Sequence, residues 1–529
     1  MRDLQLPGRS VVHAINGAAA TSHPMATVAA IDILKAGGNA VDAAIAACAV
    51  QCVVEPMSTG IGGDCFVLLQ KAGQGPVIGL NGSGHAPEKL TADHLLDQGQ
   101  NAIGLTSPHA ITVPGAIDAW CKISADHGRL GMDRVLQPAI DYAENGFAIT
   151  PRVAVDWSRN VDKLAADANS ARQYLRDGES PSAGQVWRSP ELASTLKAVA
   201  TRGRDGFYAG TVAEDMVTYL NSVGALHTMD DFAAQSADYV DPISSDYAGR
   251  QVLEIPPNGQ GITALMMLNI LKRFDLTKFG PVSAERLHLE AEATRLAFAQ
   301  RDAAVADPRF ADVPVDHLLS DTLADEMAGK INMDQAMPDD LAATGPIYRD
   351  TVYLTVVDRD LNCVSFINSL YFAFGTGLTA PQSGVIFQNR GAGFVVDKNH
   401  PNCVAPRKRP LHTIIPGMVL NNGRCEVSFG VMGGGYQPVG HAHLLSNLFD
   451  YGMDVQEAID CPRTFHVGGK LDVERSVPDD VRARLAALGH DTQTPEMPWG
   501  GAQAIAIDYQ NGTLAAGSDP RKDGCALGY

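Results

Sequence analysis

The sequence is poor in aromatic residues, has no excess of positive charge and has no long apolar run. Only 6% of its 529 residues are aromatic, and 60 Asp and Glu outnumber 41 Lys and Arg, giving a formal charge of -19. So acidic a chain repels phosphate backbones and anionic lipids, and we expect neither a nucleic-acid nor a membrane partner. The longest apolar stretch, residues 40–54, contains Asp42 and Gln51 and is shorter than the ~20 residues that cross a bilayer.

The sequence also lacks closely spaced cysteine motifs and the pattern of a secretory signal. The nine cysteines form no Cys-x-x-Cys motif, and the N-terminal residues show no basic segment followed by an apolar one. Reduced thiols and a cytoplasmic location are the expected combination. At roughly 150 residues per domain, the length corresponds to about three to four domain-sized cores, so folding needs no disulfide or metal.

The first part of the chain alternates helices with short strands. Asn39 is a helix-capping residue, and it predicts a buried helix over residues 40–54. Residues 65–70 and 76–80 predict a β-hairpin. The segment 284–304 predicts a long amphipathic helix on the outside of the fold.

The pattern changes near residue 332. Residues 332–350 are polar and contain Pro and Gly, which is typical of an exposed linker. After them, residues 351–357 alternate like a half-buried strand, and residues 363–370 predict the returning strand. Further strands are predicted at residues 384–388, 413–420 and 426–431.

A glycine-rich run, residues 430–435, lies between a predicted strand and a predicted helix at 441–451. Its spacing, Gly-x-x-Gly-Gly-Gly, does not match the Gly-x-Gly-x-x-Gly of dinucleotide sites. Two interpretations stay open, a tight turn and an oxyanion hole in which bare amides approach a developing alkoxide.

Two polar clusters are predicted to be structural. His441 and His443 are two residues apart, so a helix does not bring them to one face, and no third ligand has a matching spacing. We predict hydrogen-bonded structural histidines and no metal. Residues 407–409, Arg-Lys-Arg, are expected to form a solvated cluster.

Thr351 offers chemistry only if the chain is cut in front of it. Cleavage between Asp350 and Thr351 would place an α-amine, with a pKa of about 7.7 to 8.0, beside a hydroxyl that is otherwise a weak nucleophile. The exposed linker upstream is a suitable place for that cut. From the pattern alone, an ordinary strand residue remains the simpler interpretation.

The surrounding sequence resembles the γ-glutamyltranspeptidase family of N-terminal nucleophile hydrolases over nearly the whole chain. The matching blocks, in order, are SHPMATVAAIDILKAGGNAVDAAIAACAVQCVVEPMSTGIGGDCF, TVPGAIDAW, DTVYLTVVDRDLNCVSF, FGTGL, SGVIFQN, RKRPLHT, VMGGGYQP, DYGMDVQEAID and GSDPRKDG. The resemblance implies an α+β fold, a four-layer αββα sandwich. It also implies a precursor that cleaves itself before Thr351 into fragments 1–350 and 351–529, which remain one intertwined heterodimer. No cofactor is implied.

Residue by residue, the resemblance implies that Gly433 and Gly434 stabilise the oxyanion and that Ser369 is a hydroxyl near the nucleophile. Several substrate-reading positions depart from the family pattern. Ser83 stands where the family has its glutamyl-binding Arg, and Gly393 stands where it has an acidic residue. His412-Thr413 replaces a Ser-Ser pair, and Tyr371 replaces a pocket Asn. Without those charges, a site for a zwitterionic glutamyl group loses its discriminating contacts.

Arg390 stands where standard members of the family have a neutral amide. A bidentate cation favours an anionic substrate of another shape, and Tyr371 should shrink the pocket. The pattern resembles the cytoplasmic subgroup that includes oxamate amidohydrolase of purine breakdown, and oxamate ranks first as substrate. Three alternatives remain: a γ-glutamyl hydrolase or transpeptidase, an acylase of the cephalosporin type, and an inactive binding protein.

Overall fold

The structure, a computed structural model, describes residues 5, 8–338 and 351–529. Asp350 and the second half of the predicted linker lie outside these described residues. The strands that it describes are β1 (Val12–Ala14), β2 (Ala18–Thr21), β3 (Asp64–Gln70), β4 (Val77–Gly82), β5 (Phe147–Ala148), β6 (Val186–Trp187), β7 (Asp238–Val240), β8 (Ile243–Tyr247), β9 (Arg250–Glu254), β10 (Val352–Val357), β11 (Cys363–Ser369), β12 (Gly417–Asn421), β13 (Arg424–Met432), β14 (Thr464–Val467), β15 (Lys470–Val473), β16 (Thr492–Gln493), β17 (Gly501–Asp508), β18 (Thr513–Ser518) and β19 (Cys525–Gly528).

The α-helices surround these strands. They are α1 (Pro24–Lys35), α2 (Ala40–Val54), α3 (Ala92–Asp97), α4 (Ala116–His127), α5 (Met132–Asn145), α6 (Pro151–Ser158), α7 (Val161–Ala165), α8 (Ala168–Tyr174), α9 (Pro190–Arg202), α10 (Asp205–Tyr208), α11 (Gly210–Ser222), α12 (Met229–Ala233), α13 (Gly261–Leu271), α14 (Ala284–Ala304), α15 (Val315–Leu318), α16 (Asp321–Ala328), α17 (Gln437–Phe449), α18 (Val455–Asp460) and α19 (Asp479–Ala487). Within the described ranges, none of the helices has the length and apolarity needed to span a bilayer.

Two seven-stranded antiparallel sheets form the centre of the molecule. The first has the order β1-β18-β17-β13-β12-β9-β8, and the second β19-β2-β10-β11-β3-β4-β7. Each sheet takes strands from both sides of residue 350. Neither sheet could therefore be completed by one side of the chain alone.

Three apolar cores separate four layers. Alternate residues of β10 show the arrangement: Leu354 and Val356 pack with α1 and α2 in one core, whereas Tyr353 and Val357 lie in the core between the two sheets. The outer face of the first sheet packs against α13, α14 and α17 in the third core. The expected αββα sandwich is confirmed.

Several local predictions are confirmed at the level of single elements. Helix α2 spans Ala40–Val54, every one of its residues is buried, and Asn39 and Asp42 form a capping box at its start. Strands β3 and β4 form the predicted hairpin, and β10 pairs with β11 as expected.

Three predictions about burial and extent were wrong. Strand β10 is buried on both faces, because it is a central strand between helices and the opposite sheet. Helix α14 has the predicted bounds but is not an outer helix, since Arg286, Glu290 and Arg295 are buried along it and form ion pairs with each other or with Glu292. Residues 384–388 make only an isolated bridge at Ile386.

Two other elements differ in their limits. The strand predicted at residues 413–420 begins only at Gly417, because the N–H groups of Ile414 and Ile415 donate to the side chains of His412 and Gln437 and not to a neighbouring strand. The helix predicted at 441–451 begins at Gln437, with Pro438 in its first turn.

Candidate active site

Four neighbouring strands of the second sheet end in a row of polar residues. Ser369 lies opposite Asp64, and the registers of β10 with β11 and of β3 with β4 place Thr351 and Ser83 at the two ends of that row. Strands are about 4.8 Å apart, so Ser83 lies roughly 14 Å from Thr351 across the sheet. The sheet therefore brings Ser369 next to Thr351 and leaves Ser83 three strands away.

Thr351 and Ser369 are in direct contact. Their hydroxyl oxygens are 3.1 Å apart, and both residues are completely buried. The Ser369 hydroxyl also accepts a hydrogen bond from the backbone N–H of Tyr371 at 2.9 Å. Ser369 can therefore direct its own proton to the Thr351 oxygen, as an orienting group would.

The glycine-rich loop lies above the start of β10. Thr355 contacts Ser428 through their hydroxyls at 2.7 Å, and a side chain at Gly430 would collide with the Tyr353 ring. The two strands run in opposite directions, so each step of two residues toward the start of β10 corresponds to two residues toward the end of β13. By this register, Thr351 faces the end of β13, directly before Gly433.

The two central glycines of this loop have backbone conformations that other residues rarely adopt. The φ angle is +119° at Gly433 and +59° at Gly434. A Cβ at Gly433 would also lie 2.9 Å from the Cα of Gly500. The carbonyl of Gly433 accepts from the N–H of Tyr436 at 3.0 Å, so the Gly434 N–H in the same peptide plane points the opposite way. Such an amide is suited to an oxyanion hole.

Arg390 is a buried cation with unfilled hydrogen-bonding capacity. Its side chain is 0% exposed, and Nη1 donates to Thr413 Oγ1 at 2.7 Å. Within the described part of the chain, Nε and Nη2 have no hydrogen-bond partner. The guanidinium stacks on the Tyr371 ring, 4.1 Å from its centroid.

Tyr371 itself has a φ of +82°, which is unusual for a bulky residue. Its ring covers one face of the guanidinium, and its hydroxyl lies 3.7 Å from the position that a Cβ on Gly393 would take. Gly393 and Tyr371, which are two of the departures from the family pattern, are therefore neighbours in the structure.

Asp64 is a site residue that the sequence analysis did not single out. Its carboxylate accepts from the N–H groups of Gly84 and Gly115, from Gln388 Nε2 at 2.8 Å and from His412 Nε2 at 3.0 Å. In the sequence, Asp64 is marked only by its place in the block ending GGDCF. Nothing in the spacing of that block indicates that four donors surround its carboxylate.

His412 is a neutral donor within this network. Ile414 N–H donates to its Nδ1, which leaves the proton on Nε2 facing Asp64. Burial, followed by the charge of Arg390, lowers the pKa of His412 to about 3. His412 therefore adds no second positive charge beside Arg390.

Ser83 is buried in a network of amides. Its hydroxyl accepts from Asn258 Nδ2 at 3.2 Å, and its carbonyl accepts from Arg409 Nε at 3.0 Å. The expected solvated cluster at residues 407–409 was wrong, because Lys408 and Arg409 are buried and only Arg407 is exposed. All three Arg409 nitrogens are engaged, the others by the Ser236 carbonyl and Asp238.

The histidines of α17 have protein partners. His441 Nδ1 lies 2.6 Å from Glu254, and His443 Nδ1 lies 3.1 Å from Glu290. Among the residues that the structure describes, one group brings side chains of metal-ligating types within reach of each other, His288, Glu292 and His490. His288 Nδ1 and His490 Nε2 are 2.7 Å apart, and both Glu292 oxygens already accept hydrogen bonds, so these atoms already have protein partners.

Comparisons with known proteins agree with this architecture. The family model for γ-glutamyltranspeptidase matches residues 26–529. The chain is 40% identical over 520 residues to the glutathione hydrolase-like YwrD proenzyme of Bacillus subtilis (96% of this chain, 97% of that protein). It is 35% identical over 530 residues to the oxamate amidohydrolase proenzyme of Klebsiella pneumoniae (97% and 98%). The crystal structure of cephalosporin acylase from Bacillus halodurans superposes with a TM-score of 0.93 at 39% identity, covering 100% of this chain and 99% of that one.

The αββα fold and these relatives define a hydrolytic enzyme of the N-terminal nucleophile class. Within that class, the chain belongs to the γ-glutamyltranspeptidase family.

Proposed function

We propose that this enzyme is a self-processing amidohydrolase with Thr351 as its N-terminal nucleophile, and that its substrate is a small amide bearing a carboxylate, oxamate first. The observation that carries the substrate class is Arg390, a fully buried cation with two unpartnered nitrogens among the described residues. A buried charge without a counter-ion is strongly unfavourable. A substrate carboxylate would supply that counter-ion.

The charges around Arg390 support a single, small carboxylate. His412 is neutral, and the Asp64 carboxylate already accepts four hydrogen bonds. Arg390 is therefore the positive charge in this network that can bind an anionic substrate. The Tyr371 ring closes one face of the guanidinium. In oxamate the carboxylate is joined directly to the scissile amide, so one group can bind Arg390 while the other meets Thr351.

The reaction follows from these positions. After the chain is cut before Thr351, the new α-amine of Thr351 takes the proton of the Thr351 hydroxyl, and Oγ1 adds to the carbon of the substrate amide. The oxyanion receives hydrogen bonds from Gly433 and Gly434 N–H, and collapse breaks the C–N bond as the amine returns its proton to the departing ammonia. Water then hydrolyses the threonine ester, which releases the diacid and restores the hydroxyl.

Cleavage would give a heterodimer of fragments 1–350 and 351–529 whose strands alternate in both sheets. The nine cysteines are all unpaired, which supports a reducing compartment such as the cytoplasm.

A γ-glutamyl amide is the second candidate, favoured by the 40% identity to a protein named as glutathione hydrolase-like. Ser83 weighs against it, since it supplies no charge for an α-carboxylate. Arg409 beside it does not replace that charge, because its three nitrogens are already bound. An acylase activity on larger amides is the third candidate, favoured by the superposition on cephalosporin acylase.

The test has two parts. Mass spectrometry of the purified protein should find a small fragment beginning at Thr351, and Thr351→Ala should remain uncut. The processed enzyme is then assayed on oxamate by ammonia release, and on γ-glutamyl-4-nitroanilide and a glutaryl amide by amine release. One intact chain without activity would favour the binding protein. Rapid cleavage of the anilide without action on oxamate would overturn the proposed substrate.

A further inference from the structure

Gln260 precedes α13 and lies between two parts of the site that the proposed function uses separately. It is completely buried, and its backbone N–H donates to the His412 carbonyl at 2.8 Å. Its side-chain nitrogen donates to the carbonyl of Thr413 at 2.7 Å and to the carbonyl of Gly434 at 3.0 Å. One amide therefore joins the segment that holds Arg390 to the glycine loop.

The orientation of this amide follows from its third contact. Gln260 Oε1 accepts from Arg301 Nη1 at 2.9 Å. A guanidinium only donates, so the oxygen must face Arg301 and both N–H groups must face the two carbonyls. Every polar atom of the side chain is used, and a buried amide in this state has one favourable position.

The consequence for the glycine loop is geometric. The carbonyl of Gly434 accepts from Gln260 Nε2 and from the Gln437 N–H, and the carbonyl of Gly433 accepts from the Tyr436 N–H. The Gly434 N–H shares the peptide plane of the Gly433 carbonyl, and Gln260 anchors the following plane, so the two sets of bonds together hold the loop that carries this N–H. Glycines at positive φ have no side chain to restrict them, so this restraint has to come from neighbours.

Gln260 also fixes the distance between the two groups that are proposed to contact the substrate. Thr413 accepts from Arg390 through its hydroxyl and from Gln260 through its carbonyl. The group proposed to bind the carboxylate and the group proposed to bind the oxyanion are thus joined through Thr413 and Gln260. A short substrate such as oxamate, whose two ends are adjacent carbons, needs that distance to be exact within a fraction of an ångström.

We infer that Gln260 is a positioning residue for catalysis, which sets the oxyanion donors of the glycine loop relative to Arg390. The inference rests on the proposed function, and it adds a requirement that neither Thr351 nor Arg390 imposes. It predicts a selective loss of turnover when the amide's donors are removed without a change of size.

The experiment compares Gln260 with a matched glutamine. Gln70 is also fully buried, its Nε2 donates to the carbonyls of Gly75 and Gly423 at 2.8 and 3.1 Å, and its Oε1 accepts from Cys425 N–H at 2.8 Å. It lies at the far end of β3, six residues or roughly 20 Å from Asp64. Gln260→Met and Gln70→Met therefore each remove two hydrogen bonds donated to backbone carbonyls and one accepted by Oε1, at different places in the molecule.

We expect Gln260→Met to lower kcat on oxamate about 10- to 100-fold, because a misplacement of about 1 Å can have an effect of that size. The KM should change much less, and the loss should be the same at every pH because the α-amine is untouched. Gln260→Glu, which has the same shape but turns an oxygen toward the carbonyls, should behave alike. Gln70→Met should lower the melting temperature similarly and keep the wild-type kcat.

Three outcomes overturn the inference. Gln260 variants with wild-type kcat show that the amide does not position the loop. An equal loss of kcat in Gln70→Met shows a general effect of stability. A wild type that hydrolyses none of the three amides overturns the proposed function, and this inference with it. If Gln260→Met does not fold, Gln260→Asn, which keeps the amide one methylene shorter, takes its place, and the same fall in kcat is expected.

Discussion

Replacing Arg390 by Gln tests whether this residue binds the substrate or stabilises the fold. Arg390 has one hydrogen bond, to Thr413, and no partner for Nε or Nη2 among the described residues. If its counter-ion is the substrate, the free enzyme holds an unpaired buried charge that Arg390→Gln removes. We therefore expect the variant to unfold at the same or a higher temperature while losing activity, as stability and function often oppose each other at active sites.

The size of the loss follows from the contact it removes. Truncating one partner of a buried charge pair costs about 2 to 5 kcal/mol, which is roughly 30-fold to several thousand-fold in affinity or in kcat/KM. Both nitrogens of the guanidinium edge are free for a bidentate pair, so a value in the upper half is expected. Arg390→Lys keeps the charge without the planar fork, and should retain part of the activity.

The assay measures kcat/KM on oxamate and on γ-glutamyl-4-nitroanilide, together with the melting temperature. Arg286→Gln is the matched control, because Arg286 is equally buried but forms an ion pair with Glu290 at 2.9 Å. Breaking that pair should destabilise the protein by about 3 to 5 kcal/mol. Its folded fraction should hydrolyse oxamate normally.

Two results would refute the reasoning. Wild-type activity of Arg390→Gln on oxamate would show that the carboxylate binds elsewhere. A melting temperature of Arg390→Gln as low as that of Arg286→Gln would make Arg390 a structural residue. Increased cleavage of the anilide by Arg390→Gln would transfer the assignment to γ-glutamyl amides.

Three further predictions test the nucleophile, the loop and the buried histidines. Thr351→Ser should process slowly and Thr351→Ala not at all on denaturing gels, and a fragment starting elsewhere would contradict the nucleophile assignment. Gly434→Ala should lower kcat on the order of 10²-fold with little change in KM, because its φ of +59° disfavours a side chain and the amide would turn; unchanged turnover would make the loop a simple turn. Burial lowers the pKa of His227 to about 4, so the unfolded chain takes up a proton between pH 6.5 and 4 that the folded one does not. Stability should therefore fall with pH in that window, by about 1.4 kcal/mol per unit for this residue. His227→Phe should melt with a shallower pH dependence than wild type, and an equal or steeper slope would contradict this prediction.

Local elements were predictable because their signals are local. The capping box of Asn39 and Asp42 and a continuous apolar run define α2 without reference to the rest of the chain. The two halves of the β10–β11 hairpin are separated only by a short polar turn. The family blocks, which are spread along nearly the whole sequence, predicted the αββα fold.

Burial was decided by the layers and not by the segments. The amphipathic pattern of α14 suggested an outer helix, but its charged residues pair with each other inside the molecule, where α14 packs against α13 and α17. The alternation of β10 suggested one solvated face, whereas the opposite sheet covers it. A periodicity records polarity along one element, and it contains no information about what packs on each face.

The sequence by itself determined which residue types stand at the candidate site, including Thr351, Arg390 and the glycine loop. Only the tertiary structure decided which of their atoms have partners. Asp64, His412 and Gln260 come from three separate elements, and their hydrogen bonds exist because two sheets place those elements side by side. Whether Arg390 is paired depends on every neighbour around it, and those neighbours are remote in the chain because the two sheets draw strands from both of its parts.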